Sequence, residues 1–249
     1  MTAIPQSRNR RAALVAAMCA LLVTGTALTG CGEEDPDEGT NGVGRLPAAK
    51  IQAKTRKAAQ SAEAVRLHGT VVTSGRTYKL DMRLKSGGGT GAVTAKGMNF
   101  QLMRNGRELF LKADAGFWSH AAGDGDADAA AAGKLSGKYV KVPQGDPSYK
   151  KFSGFTDIDL LLDGLLTLHG ELATDGHHEQ AGVPVIRITG DQGSGGTLDV
   201  SLEGTPYPLR LVRAGSAGTL SFSEWGEDFA LKEPARDEIV DYGRQLPTS

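Results

Sequence analysis

The fold is decided by an alternating stretch in the first half of the 249-residue chain, Thr77-Tyr78-Lys79-Leu80-Asp81-Met82-Arg83-Leu84-Lys85. Every second side chain is apolar, and the side chains between are polar or charged. Because successive side chains of a strand point to opposite faces, this period of two predicts a β-strand with one buried and one solvated face.

Turn signals on the C-terminal side of this stretch predict more strands of the same kind. The glycine-rich stretch 87–91 predicts a break, after which Val93 and Ala95 suggest a return strand. The pair Asn105-Gly106 stands between apolar runs and predicts a two-residue hairpin. The first half is therefore predicted to be a meander of antiparallel strands.

The alternation returns in the last third of the chain, and two helices are predicted outside the strands. Leu198, Val200 and Leu202 alternate with polar residues, and Leu220 and Phe222 do the same. Apolar residues at spacings of three and four predict helices over 47–66 and 157–168. The predicted class is α+β, an antiparallel sheet with helices on one face.

The N-terminus has the layout of a secretory signal that ends in a lipidation site. Three arginines at 8, 10 and 11 precede a nearly uncharged apolar run from Ala12 to Thr29. The run ends in Leu28-Thr29-Gly30-Cys31, a lipobox whose cysteine can carry a diacylglyceryl group. The alternative is an uncleaved transmembrane anchor, although the run is near the lower edge of spanning length.

Cysteine content and charge exclude several classes of function. The chain has two cysteines, Cys19 inside the signal and Cys31 at its end, so no thiol remains for a disulfide, a zinc site or a nucleophile. Residues 1–30 hold three of the 28 basic and none of the 29 acidic residues, which leaves a formal charge of −4. A mildly acidic chain without a basic block does not predict a nucleic-acid partner.

Two polar clusters suggest metal binding, and in both the spacing argues against it. Asp124, Asp126 and Asp128 resemble the start of a calcium loop, but its sixth and twelfth positions here are alanine and leucine. His169, Glu171, His177 and His178 are close in sequence, but a predicted loop would not fix their geometry. With no nucleophile-and-base motif present, the sequence predicts no enzyme, no catalytic or metal residue and no cofactor.

What remains is a set of large apolar side chains on one face of the sheet. We predict that they line an apolar ligand pocket, or alternatively fill a closed core. The set is Tyr78, Leu80, Met82, Met98, Phe100, Leu102, Leu198, Val200, Leu202, Leu220 and Phe222.

Several motifs over residues 46–240 resemble the LolA-like superfamily, and within it the LppX/LprG-type lipoproteins of actinobacteria. They are Leu67-His68-Gly69-Thr70-Val71, the stretch 106–112, the stretch 206–212, the stretch 220–226 and the stretch 231–234. The resemblance implies a half-barrel of roughly eleven strands, with helices closing a concave face that holds acyl chains of lipids or lipoglycans. It implies no catalytic residues.

Together these observations predict a lipid-binding or lipid-carrier lipoprotein, monomeric and anchored through Cys31 at the extracytoplasmic face of the cell membrane. A membrane transporter or another envelope protein is a candidate partner. The alternative is a non-enzymatic protein-interaction module anchored in the same way. The predicted segments are a signal at 1–30, a flexible acidic tether at 31–46, the lipid-binding domain at 47–242 and a tail at 243–249.

Overall fold

Twelve strands form one open sheet in the order β12-β6-β5-β4-β3-β2-β1-β11-β10-β9-β8-β7. The structure is a computed structural model that describes residues 35–122 and 132–241. All neighbouring strands are antiparallel except β12 and β6, which are parallel. The strands are β1 (Ala64–Thr73), β2 (Arg76–Lys85), β3 (Gly88–Ala95), β4 (Met98–Asn105), β5 (Glu108–Ala113), β6 (Tyr139–Val142), β7 (Leu172–Gln180), β8 (Val183–Gly190), β9 (Thr197–Ser201), β10 (Pro208–Val212), β11 (Thr219–Ser223) and β12 (Ile239–Asp241).

Short helices accompany the sheet. The α-helices are α1 (Ala48–Gln60), α2 (Ala115–Ala122), α3 (Pro147–Ser153) and α4 (Ile158–Leu165), and residues 132–135 are also helical. The 3-10 turns are Val43–Arg45, Gly154–Thr156, Asp191–Gly193, Ala214–Ser216 and Arg236–Glu238. The predicted α+β class is confirmed, and one strand is added to the eleven that the resemblance implies.

Side-chain caps explain where α3 and α4 begin. The carboxylate of Asp146 accepts the backbone N–H of Ser148, and that of Asp157 accepts the N–H of Leu160. Such caps satisfy backbone donors that the first helical turn leaves free. Both helices are shorter than three turns, so packing against the sheet stabilises them more than helix propensity does.

The predicted meander is confirmed over β1–β5. In the β4–β5 hairpin Asn105 pairs with Glu108, which leaves Gly106 and Arg107 as the two turn residues, one position later than the predicted pair Asn105-Gly106. The break predicted at 87–91 is shorter than expected, because Gly88 already belongs to β3 and pairs with Lys85 of β2. A Cβ on Gly91 would lie 2.7 Å from the sulfur of Met82. Gly88, Gly89 and Gly91 are thus strand residues that allow close packing, and only Gly87 of the stretch stays in the turn.

Both predicted helices end earlier than the sequence pattern indicated. The first was predicted to reach Arg66, but α1 ends at Gln60 and Val65 pairs with Leu84 in the sheet. A β-branched side chain such as Val65 fits a pleated surface better than a helix. The second was predicted to reach Leu168, whereas α4 ends at Leu165.

The segment predicted as an exposed loop around His177 and His178 is the edge strand β7. Residues 175 and 176 form an irregularity in the pairing with β8 instead of ending the strand. Nearly every β7 side chain is exposed, as in a loop, so the polar sequence of this strand led to the prediction of a loop. An edge strand that is polar on both faces carries no period-two signal.

The part of the predicted tether that the structure describes is packed onto the domain. We call residues 35–46 the N-terminal strap. Asn41 donates its backbone N–H to the Leu202 carbonyl at 2.8 Å and its side-chain amide to Ser201 and Gly204 at 3.0 and 3.1 Å. Val43 is 3% exposed. The acidic composition of the strap led to the prediction of a flexible tether instead of a docked segment. Residues 31–34 of the predicted tether lie outside the described residues.

At the other end of the chain, residues 224–241 run from β11 to the far edge of the sheet. The ammonium of Lys85 reaches Asp228, and the side chains of Arg83 and Lys85 lie over the ring of Phe229. The segment then pairs as β12 with β6 through Ile239–Asp241. The predicted tail at 243–249 lies outside the described residues.

Candidate functional site

The face of the sheet that the helices cover, called here the covered face, carries two continuous apolar rows. Strand pairing defines each row. The first crosses nine strands through Ile188, Leu198, Leu211, Leu220, Gly69, Leu80, Val93, Phe100 and Ala113. The second crosses seven strands through Phe222, Leu67, Met82, Gly91, Leu102, Leu111 and Val140.

All eleven residues predicted to line a pocket lie on this covered face. Seven belong to the two rows. Tyr78, Met98 and Val200 lie further along their strands on the same side, and Leu202 directly follows β9. Ten are at most 9% exposed and join one hydrophobic core, while Met98 is half-buried. The structure brings the predicted set together, and whether a ligand enters among these residues stays a prediction.

Sequence reasoning missed several members of these rows. Leu67, Leu111, Ile188 and Leu211 are all buried on the covered face. The stretch Val183–Gly190 contains the alternation that could have identified Ile186 and Ile188. The alternation is hard to recognise because Val185, the residue just before Ile186, is also buried and apolar. Two adjacent apolar residues interrupt the period of two.

The cover over β7 and β8 is α1. Its buried side is made of small and aliphatic residues, with Ile51 and Ala59 fully buried. Arg56 of α1 forms an ion pair with Asp163 of α4 at 2.6 Å, and Gln52 accepts the backbone N–H of Leu168 at 2.9 Å. These contacts connect the two helices that lie on this part of the sheet.

Aromatic side chains cover the half of the sheet around β4. Phe100 of β4 contacts Phe117 of α2 at 5.3 Å between ring centroids and Phe152 of α3 at 5.6 Å. Phe117 meets Trp118 edge-on at 5.1 Å. The Nε1–H of Trp118 is buried, and among the described residues it has no hydrogen-bond acceptor. A ligand atom that accepts a hydrogen bond would satisfy this donor.

One arginine of the covered face holds the 3-10 turn Gly154–Thr156. Arg104 donates from Nε to Thr156 Oγ1 at 2.9 Å and from Nη2 to the Thr156 carbonyl at 2.7 Å. Its other amino group donates to Gly106, and Asp157 lies 3.6 Å away. The turn contacts β2, β3 and β4. On β3 it lies over Gly89, where a Cβ would be 3.4 Å from the Thr156 carbonyl oxygen. This arrangement is a polar clamp on an otherwise apolar surface.

The opposite face carries a structural ion-pair network. Arg66 binds Asp81 through two hydrogen bonds of 3.0 and 3.1 Å and also contacts Glu224. The hydrogen bonds from Arg66 hold the pKa of Asp81 below its usual value, and those to Asp81 and Glu224 raise the pKa of Arg66. All these groups are paired with opposite charge.

The residues considered for metal binding lie apart. His177 Nε2 is 3.1 Å from Asp37 of the N-terminal strap, whereas His178 bonds the carbonyl of Asp175. Among the residues that the structure describes, no three His, Cys, Asp or Glu side chains are grouped to hold a metal ion. Asp124, Asp126, Asp128 and Cys31 lie outside the described residues.

A surface pocket of about 350 Å³ lies beside the end of β5. Its lining includes Asn99, Gln101, Lys112 and Ser136, which are polar, and it shares only Phe100 with the predicted lining set. This pocket is therefore distinct from the apolar site predicted from the sequence.

In the described part of the chain, no helix is long and apolar enough to cross a membrane.

Comparison with known proteins relates this geometry to solved structures. The sequence matches no protein-family model and no curated protein. LprF from Mycobacterium bovis is similar with a TM-score of 0.53, at 16% identity, over 76% of this chain and 97% of LprF. The lipoprotein LppX from Mycobacterium tuberculosis is similar with a TM-score of 0.44, at 15% identity, over 74% and 99%. The similarity to LprF confirms the predicted resemblance for the fold.

Proposed function

We propose that the protein is a lipoprotein, anchored through Cys31 at the extracytoplasmic face of the membrane, that binds or carries acyl chains on its covered face. The observation that carries the proposal is the pair of uninterrupted apolar rows crossing nine and seven strands. Each buried CH₂ group of a ligand would contribute about 0.8 kcal/mol. The shared fold with LprF supports the same reading.

The cover above these rows supports a site that opens. It consists of short helices joined to the sheet and to one another by few polar contacts, of which the Arg104 clamp is the most extensive. The buried Nε1–H of Trp118 offers one donor for a polar atom of the ligand. We also infer a binding protein without catalysis, because the ionisable groups described above are engaged in structural pairs.

The test uses the chain from residue 31 with Cys31→Ala, so that no anchor lipid is present. The purified protein is extracted with solvent for mass spectrometry, then delipidated and titrated with a fluorescent long-chain fatty acid. We expect recovered lipid or saturable uptake of the probe. A folded protein that shows neither would overturn the proposal.

A matched pair of variants locates the site. Met98 is half-buried on the covered face of β4, and the next residue, Asn99, points to the opposite face. We expect Met98→Glu to weaken probe uptake about tenfold or more, because it places a charge where the acyl chain would lie. Asn99→Glu should leave uptake within a factor of two.

The close packing of ten predicted lining residues favours the second candidate, an interaction module with a filled core. That protein would take up no probe in either variant and would instead give a specific crosslinked protein partner. A separate fractionation tests the anchor, because full-length chain with Cys31→Ala should leave the membrane fraction.

A further inference from the structure

We infer that the end of the sheet where β9 turns into β10 faces the membrane, with Tyr207 and Trp225 forming the contact with the bilayer. The inference rests on the proposed anchor at Cys31. The partner is the surface of a phospholipid bilayer.

The argument begins with how the strap shortens the connection between anchor and domain. If all of residues 31–46 were extended, they would allow a separation of about 55 Å at roughly 3.5 Å per residue. The strap is docked on the domain through Asn41 and through Asp37, which bonds His177, and its first residue, Asp35, is tied to Arg45 within the strap. Only the four steps from Cys31 to Asp35 remain, with a maximum reach of about 14 Å.

The docking partners of the strap specify which end of the domain is held close. Asn41 binds the carbonyls of Ser201, Leu202 and Gly204, all at the end of β9 or in the loop that follows. Buried Asp37 bonds His177 of the edge strand nearby. A lipid on Cys31 therefore holds this end of the sheet within a short distance of the bilayer.

This end of the sheet presents two aromatic side chains, Tyr207 of the β9–β10 loop and Trp225 just after β11. Tyr207 stacks on Trp225 with ring centroids 4.7 Å apart and an angle of 4° between the rings. Both side chains are half-buried, and Trp225 Nε1 donates to the Pro208 carbonyl at 3.0 Å, which fixes the indole. Tyrosine and tryptophan combine an apolar body with a polar tip and suit the region between water and acyl chains.

Charge does not drive this contact. Glu38 and Glu203 are exposed at the same end and would be repelled by anionic lipid. The anchor and the strap supply the orientation, and the aromatic pair supplies the apolar area. The surface is therefore expected to contact zwitterionic lipid once the anchor has inserted, and to have little affinity for vesicles without it.

The protein offers a direct spectroscopic test because it has two tryptophans. Trp118→Phe leaves Trp225 as the reporter at the proposed contact. The lipidated chain is reconstituted in vesicles of brominated phosphatidylcholine, which quench nearby indoles, and compared with the same variant carrying Cys31→Ala. We expect at least twofold stronger quenching of Trp225 in the anchored protein. Equal quenching would overturn the inference.

The strap variant and the second tryptophan separate this inference from the proposed function. Adding Asn41→Ala should reduce the extra quenching of Trp225 by about half, because the docked strap loses its side-chain bonds. Trp225→Phe leaves Trp118, which reports lipid entering the covered face whether or not the anchor is present. Quenching of Trp118 without anchor-dependent quenching of Trp225 would support lipid binding and refute the orientation.

A second measurement needs no tryptophan substitution. The chain from residue 31 is coupled through its single thiol to a maleimide lipid in phosphatidylcholine vesicles, and hydrogen exchange is compared with the uncoupled chain. We expect slower exchange in residues 201–207 and no change in the turns at 74–75 and 213–218 at the opposite end. Protection of those turns alone, or no protection anywhere, would overturn the inference.

Discussion

Two parts of the helical cover rest on one sheet but are held in different ways. The α1 helix over β7 and β8 is held mainly by apolar burial, with Ile51 and Ala59 fully buried. The 3-10 turn Gly154–Thr156 over β2–β4 is held by the hydrogen bonds of Arg104. Apolar burial is lost only by removing the helix, whereas a polar clamp can exchange partners. The turn is thus the part of the cover suited to move.

The largest effect is expected at α1, where apolar burial holds most of the cover. Ile51→Ala should lower the free energy of unfolding by about 2–5 kcal/mol, because it removes a fully buried side chain and leaves a cavity. Denaturant unfolding followed by circular dichroism measures this loss. The exposed neighbour Lys50→Ala is the control, with an expected change within about 0.5 kcal/mol. A small loss at Ile51 would mean that α1 is not fixed by burial.

A smaller and local effect is expected at the clamp. Arg104→Met keeps an apolar stem but leaves the buried carbonyl of Thr156 without its strongest donor, at a cost of about 1–3 kcal/mol. Hydrogen exchange should increase in residues 154–165 and remain unchanged in Ala48–Gln60. Arg107→Met in the adjacent exposed turn should change neither segment. Equal acceleration in both segments would remove the distinction between the two parts of the cover.

The smallest effect has the opposite sign. Thr55 of α1 is fully buried, and its hydroxyl has no hydrogen-bond partner among the described residues. Thr55→Val has nearly the same shape and removes the buried polar group, so we expect unchanged or increased stability, by up to about 1 kcal/mol. Thermal unfolding checks the sign. A loss above about 1 kcal/mol would show that the buried hydroxyl has a partner and contributes to holding α1.

The sequence predicted what depends on local pattern. Alternation over 77–85 defined β2, and Asn105-Gly106 located the hairpin to within one residue, because register and turn chemistry are local properties. The eleven predicted lining residues share one face for the same reason. Edge strand β7 could not be found this way, since a strand with solvent on both sides has no alternation.

The roles of Arg104 and Asn41 were not predicted, because the residues they bind are distant in sequence. Arg104 binds Thr156, 52 residues away, and Asn41 binds Ser201, 160 residues away. An arginine in a strand and an asparagine in an acidic stretch are ordinary surface residues until the fold supplies a carbonyl. Their roles follow from tertiary structure alone.

The two edge strands of the open sheet, β12 and β7, are short or irregular. An open sheet has two edges whose free backbone groups can pair with another chain. Here β6 is capped by β12, a parallel strand of three residues, and the other edge, β7, is interrupted near its middle. Within residues 35–122 and 132–241, neither edge is a long, uninterrupted strand. Such edges give another strand less regular backbone to pair with than two long, uninterrupted edge strands would.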